Sequence, residues 1–207
     1  MHTKNIITSG TPLKQASRAL ILVHGRGGSA EDILTLAPML AVGDYALLAP
    51  QATGNTWYPH SFLMPQEDNE PWLSGAIDVL AATVQEIVDA GITHDRIYFT
   101  GFSQGACLTL EFAARHAVRY GGIAAFTGGL IGDHVHRSNY TGDFAQTPVF
   151  IGSSDPDMHV PVKRVRETEA VYADLNAAIH IKIYPNMGHT ISGDEINIVN
   201  EKIFGKM

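Results

Sequence analysis

Arg96-Ile97-Tyr98-Phe99-Thr100-Gly101-Phe102-Ser103-Gln104-Gly105-Ala106-Cys107-Leu108-Thr109-Leu110 is the stretch that decides how this chain folds. Its first residues form a short apolar run that reads as a strand over 96–100, and a helical pattern restarts over 106–116. Between them, Gly101-Phe102-Ser103-Gln104-Gly105 fits G-x-S-x-G. Glycines two residues either side of the serine let strand and helix approach without a Cβ clash. The sharp turn leaves the hydroxyl exposed at the sheet's C-terminal edge. The plainer reading is a tight turn in which the serine only caps a helix, but a strand before and a helix after favour the exposed hydroxyl.

Working outward, short apolar runs alternate with longer helical patterns. Residues 18–24 are a continuous apolar run, as expected of a strand covered on both faces of a parallel sheet. A helical spacing follows over 29–40, with Ser29 or Asp32 as candidate caps. Strands are expected at 45–49, 121–127, 148–151 and 179–184, and helices at 73–90, 162–176 and 191–203. Gly91 is placed to end the helix at 73–90, and residues 6–9 read as an antiparallel edge strand. This alternation predicts an α/β fold, a mostly parallel sheet with helices on both faces, as a single domain over 1–207. Residues 51–71 fit no regular element, and a loop of that length in a compact domain is usually functional or partly disordered.

A serine hydroxyl is a poor nucleophile at neutral pH and needs a base. Among ten histidines, His189 lies directly after the last expected strand and before the last helix, where the chain order Ser…Asp…His puts the base. The acid that orients such an imidazole should follow the strand at 148–151, which leaves Asp155 and Asp157. Asp155 is the preferred candidate, being nearer the strand end with Pro156 stiffening its turn; Asp157 is then a loop organiser. Acyl transfer also needs donors for the negative charge that develops on the carbonyl oxygen. The backbone N–H groups of Gln104 and Arg26 are assigned that part, with Gly27 as the alternative to Arg26. Because a backbone donor survives truncation of its side chain, the Gln104 side chain is expected to matter little. Trp57, Tyr58, Phe62 and Trp72 are candidates for lining a substrate pocket, or are simple anchors of the loop.

Composition excludes several classes. With 45% hydrophobic and 17% charged residues, a net charge of −7 and no basic run, the chain offers no nucleic-acid surface. The single cysteine, Cys107, rules out an internal disulfide framework and suits a reducing compartment. No signal-like start and no membrane-length apolar run are present, so a cytoplasmic protein without a membrane span is expected. Gly25-Arg26-Gly27-Gly28-Ser29-Ala30 fits the dinucleotide fingerprint, but Asp44 precedes the second strand instead of ending it. Asp133, His134, His136 and His159 suggest a metal at most by their chemistry, since no ligand spacing supports one. No metal is therefore expected.

With these residues in place, the chain resembles the phospholipase/carboxylesterase branch of the α/β hydrolases, which includes acyl-protein thioesterases. The resemblance rests on His24-Gly25-Arg26-Gly27, Pro50-Gln51-Ala52, Trp57-Tyr58, Gly101-Phe102-Ser103-Gln104-Gly105, Asp155-Pro156 with Val160-Pro161, and Gly188-His189. It implies a compact hydrolase with no large lid domain and no cofactor, acting on a small-molecule carboxylic ester. Thioester or lysophospholipid cleavage by the same residues, or ligand binding without turnover, are the alternatives. A homodimer is compatible with this reading. Two departures stand out: Ile151-Gly152 replaces the His-Gly of many relatives, and the stretch between Asp155 and Val160-Pro161 is longer.

Overall fold

A computed structural model describes residues 2–205. Seven strands form one sheet: β1 (Ile6–Gly10), β2 (Ala19–Val23), β3 (Ala46–Pro50), β4 (Ile97–Phe102), β5 (Gly122–Phe126), β6 (Pro148–Asp155) and β7 (Ala178–Pro185). Their order is β1-β3-β2-β4-β5-β6-β7. Only β1 runs antiparallel, pairing with β3 from Ile6 opposite Pro50 to Gly10 opposite Ala46. Pro50 can end β3 within the ladder because its missing N–H is tolerated at a strand terminus.

The strands read as unbroken apolar runs because both faces are covered. In β2, Ala19, Ile21 and Val23 point into one core, while Leu20 and Leu22 point into the other. The first core lies beneath α2 (Trp72–Asp89), α3 (Gln104–Arg115) and α4 (Val162–Asp174); the second is closed by α1 (Ala30–Leu34) and α5 (Gly193–Val199). Helix α2 buries Leu73, Ala76, Ile77, Leu80, Val84 and Ile87, a three-to-four-residue stripe against the sheet. Gly91 follows with φ +97, a left-handed turn that ends the helix region.

The helix expected over 29–40 is shorter. Ser29 and Asp32 together form a capping box, but α1 stops at Leu34, and a 3-10 turn at Ala37–Met39 carries Pro38 near its start. Proline cannot donate to the preceding turn, so the pattern breaks there. The terminal helix likewise gives way to a π turn at Asn200–Phe204. Strand β6 runs longer than expected. Residues through Asp155 pair one-to-one with β7, ending at Asp155 opposite Pro185. Gly152-Ser153-Ser154 lacks the apolar signature of a strand, which is why its true end was hidden.

The chain passes from β2 outward to β3, then crosses back to place β4 on the other side of β2. Loops leaving the C-terminal ends of β2 and β4 therefore diverge and open a crevice, the usual place for a ligand in open α/β sheets. The elbow at that edge is tightly packed. A Cβ on Gly101 would lie 2.5 Å from the Gly105 carbonyl oxygen, and one on Gly105 would lie 2.1 Å from that of Val23. Gly105→Ala should therefore force strand and helix apart, costing about 1–3 kcal/mol or more in urea unfolding. An unchanged unfolding midpoint would mean the elbow relaxes freely.

Candidate active site

Ser103 stands between β4 and α3 with φ 54 and ψ −118, a left-handed backbone held by the packing around it. Its N–H donates to the Phe126 carbonyl at 3.0 Å, and its own carbonyl accepts from Cys107 N–H at 3.0 Å. The side chain is thereby projected off the sheet edge. His189 Nε2 lies 2.8 Å from Ser103 Oγ. On the other side of the ring, His189 Nδ1 lies 2.9 Å from Asp157 Oδ2. The imidazole is flanked by the rings of Phe102 and His159, at centroid distances of 5.1 and 4.9 Å. Two hydrogen bonds and two flanking rings thus fix its orientation.

The carboxylate on His189 is Asp157 and not Asp155. Asp155 is the last residue of β6, its side chain exposed and its carbonyl accepting from Asn186 N–H at 2.9 Å. Its backbone belongs to the ladder, and its side chain makes no hydrogen bond to His189, whose Nδ1 is taken by Asp157. Asp157, two residues on, has a fully shielded side chain. Its Oδ1 accepts from the N–H groups of His159 and Val160, both at 2.8 Å, leaving Oδ2 for the imidazole. Loop organiser and imidazole partner are the same residue. Burial pushes the Asp157 carboxyl up, but the bonds from Val160, His159 and His189 outweigh it and hold the group below the ordinary carboxylate range. The histidine loop is tied to β6 as well, since Gly188 N–H donates to Ser154 Oγ at 3.0 Å.

The N–H groups of Arg26 and Gln104 donate to no partner among the described residues, and both residues line the same cleft as Ser103. Gly27 N–H is taken by the Asn55 carbonyl at 2.7 Å, which removes the alternative donor. His24, missed as a site residue, pins this loop. It is buried, its Nδ1 bonds the Gly25 carbonyl at 2.8 Å, and its Nε2 accepts from Ala52 N–H at 3.1 Å. Burial lowers its pKa, consistent with the neutral ring that this pair of bonds requires. In the sequence His24 ends the apolar run over 18–24, which marks it as strand and gives no sign of its bonds to the neighbouring loop.

An open cleft of about 1160 Å³ surrounds Ser103. Tyr58 and Phe62 line it, but Trp57 and Trp72 do not. Trp57 is fully buried, donating its indole N–H to the His24 carbonyl at 2.9 Å, and Trp72 packs against the His2 ring. Both are anchors. The opposite wall, Ile33, Leu36, Met39 and Ile191, went unnoticed because these residues look like the apolar stripe of ordinary helices. Residues 51–71 are not disordered but carry two 3-10 turns, Thr53–Asn55 and Gln66–Asn69. The Gln104 side chain, expected to be idle, is buried and bonded to this loop.

The other candidate chemistries fall elsewhere. Asp44 bonds Arg18 at 2.6 Å, an ion pair far from any dinucleotide crevice. Asp133, His134 and His136 do come together, with ligand atoms within 4.8 Å of one another, whereas His159 sits on His189 instead. Cys107 is buried, and burial pushes its thiol up to about 12, far from a reactive thiolate. Among the described residues no helix is long and apolar enough to cross a membrane.

This sheet with a serine on the strand–helix elbow defines the α/β-hydrolase fold. The phospholipase/carboxylesterase family pattern matches residues 4–204, and the chain belongs to that family of hydrolases. The crystal structure of a phospholipase/carboxylesterase from Dyadobacter fermentans is 53% identical, with a TM-score of 0.97 over 98% of this chain and 97% of that one. Acyl-protein thioesterase 1 of Saccharomyces cerevisiae is 26% identical, over 89% of this chain and 90% of its own length. The Bacillus cereus carboxylesterase shares the fold, with a TM-score of 0.77 at 17% identity over 96% of this chain and 92% of that one.

Asp157 is more acidic folded than unfolded, so its ionised form stabilises the fold above the ordinary carboxylate pKa of about 4. That contribution is lost as pH falls through its lowered folded value. The Tm advantage of wild type over Asp157→Asn should therefore be full at neutral pH and shrink in stronger acid. A difference independent of pH would contradict this assignment.

Proposed function

We propose that the protein is a serine carboxylesterase that cleaves small or medium neutral carboxylic esters through an acyl-enzyme. The observation that carries this reading is the unbroken chain from Ser103 Oγ through the His189 ring to Asp157, at 2.8 and 2.9 Å. Ser103 attacks the ester carbonyl while His189 Nε2 takes the hydroxyl proton. Asp157 keeps Nδ1 protonated and offsets the charge of the imidazolium. The oxyanion forms between the Arg26 and Gln104 N–H groups, the latter at the start of α3, where the helix dipole favours negative charge. His189 returns the proton to the departing alcohol, and water then repeats the sequence to release the acid.

The cleft argues for neutral esters. Arg26 is its only cationic side chain among the lining residues apart from histidines, and the guanidinium is engaged by Thr56 and two loop carbonyls. No lysine or free arginine waits for a phosphate or carboxylate on the substrate, which disfavours lysophospholipids. Apolar side chains from Ile33 to Ile191 suit an acyl chain on the other wall. Thioester cleavage is the second reading, supported by the likeness to the yeast thioesterase, and the same machinery serves both leaving groups.

The test combines fluorophosphonate labelling with ester and thioester hydrolysis. Wild type should gain a single adduct and Ser103→Ala none, with kcat lowered on the order of 10⁴–10⁶-fold. Asp157→Asn should lose on the order of 10³–10⁴-fold, whereas Asp155→Asn should stay within about threefold. No adduct on folded wild type, or a larger loss in Asp155→Asn, would sink the reading.

A further inference from the structure

The segment from Thr56 to His60 forms one wall of the cleft, yet makes no backbone–backbone hydrogen bond among the described residues. Its polar groups are satisfied largely by two side chains from outside. Arg26 donates from Nη1 to Thr56 Oγ1 and the Pro59 carbonyl, both at 2.9 Å, and from Nη2 to the His60 carbonyl at 2.7 Å. Gln104 Oε1 accepts from Trp57 N–H at 2.9 Å and lies 3.2 Å from Thr56 Oγ1; its Nε2 donates to the Tyr58 carbonyl at 2.8 Å. These are the same two residues whose unbonded backbone N–H groups are the proposed oxyanion donors. Their side chains meet on one hydroxyl, that of Thr56.

We propose that the side chains of Arg26 and Gln104 act as positioning residues that lock the cleft wall at residues 56–60 to the two oxyanion donors through Thr56. This rests on the reading of Ser103 as nucleophile. A side chain bonded in three places holds its own backbone as firmly as it holds its partners. The clamp therefore fixes the donors where charge develops, and sets the wall that aims the carbonyl at them. Gly27 N–H on the Asn55 carbonyl ties the two loops once more. Because donor placement matters most in the transition state, loosening the clamp lowers kcat more than it raises KM.

The experiment compares wild type, Gln104→Met, Thr56→Val and Thr56→Ser on p-nitrophenyl butyrate and against a trifluoromethyl ketone, which mimics the oxyanion. Gln104→Met should lower kcat on the order of 10–100-fold with KM within about threefold, and weaken ketone binding by a matching factor. Thr56→Val should show a smaller loss of the same kind, and Thr56→Ser should recover most of it. Should Gln104→Met not fold, Thr56→Val carries the test, because its side chain lies nearer solvent. Wild-type kcat and ketone affinity in folded variants, or a rise in KM alone, would overturn the clamp. A wild type with neither ester turnover nor fluorophosphonate adduct would instead overturn the nucleophile reading beneath it.

Discussion

Ser103 keeps a backbone that an L-residue rarely adopts, φ 54 and ψ −118, because strand β4 and helix α3 meet too closely for any other path. A Cβ on either Gly101 or Gly105 would collide with a carbonyl oxygen, of α3 and of β2 respectively, so the turn leaves no room for a side chain at either position. The whole candidate site depends on that turn. It lifts the hydroxyl off the sheet edge, starts α3 with free N–H groups, and places both beside the loop leaving β2. The remaining architecture supplies partners at fixed positions: β6 and β7, paired through eight residue positions, carry the carboxylate and the imidazole on adjoining loops.

The cleft is built differently on its two sides. One wall comes from α1, the 3-10 turn that follows it, and Ile191, two residues after His189. The other is an irregular segment with no ladder or helix of its own, and its order comes from side chains that reach into it. Two of those side chains belong to Arg26 and Gln104, the residues proposed as oxyanion donors. On that proposal, substrate contact and charge stabilisation are properties of one hydrogen-bonded unit. A buried polar network of this kind either has all its partners or fails as a whole.

The sheet and the elbow were legible because their signals are local and physical. Strands covered on both faces must be apolar throughout, and a strand-to-helix turn this tight must carry Gly101 and Gly105. His189 followed from its position after the last strand. What stayed hidden depends on contacts between distant segments. Asp155 and Asp157 differ only in where β6 ends, and Gly152-Ser153-Ser154 gives no sign that the ladder continues past Ile151. Trp57 and Tyr58 are neighbours of similar chemistry, yet one anchors to His24 and the other lines the cleft. The Gln104 side chain bonds residues 46 to 48 positions away, a relation no periodicity carries.

Asp157 holds His189 at Nδ1, and the proton between them reports on that contact directly. In proton NMR this strongly hydrogen-bonded imidazole proton should appear far downfield in wild type. It should remain there in Asp155→Asn and disappear or move upfield in Asp157→Asn. A downfield proton that survives in Asp157→Asn but is lost in Asp155→Asn would make Asp155 the partner of His189 instead.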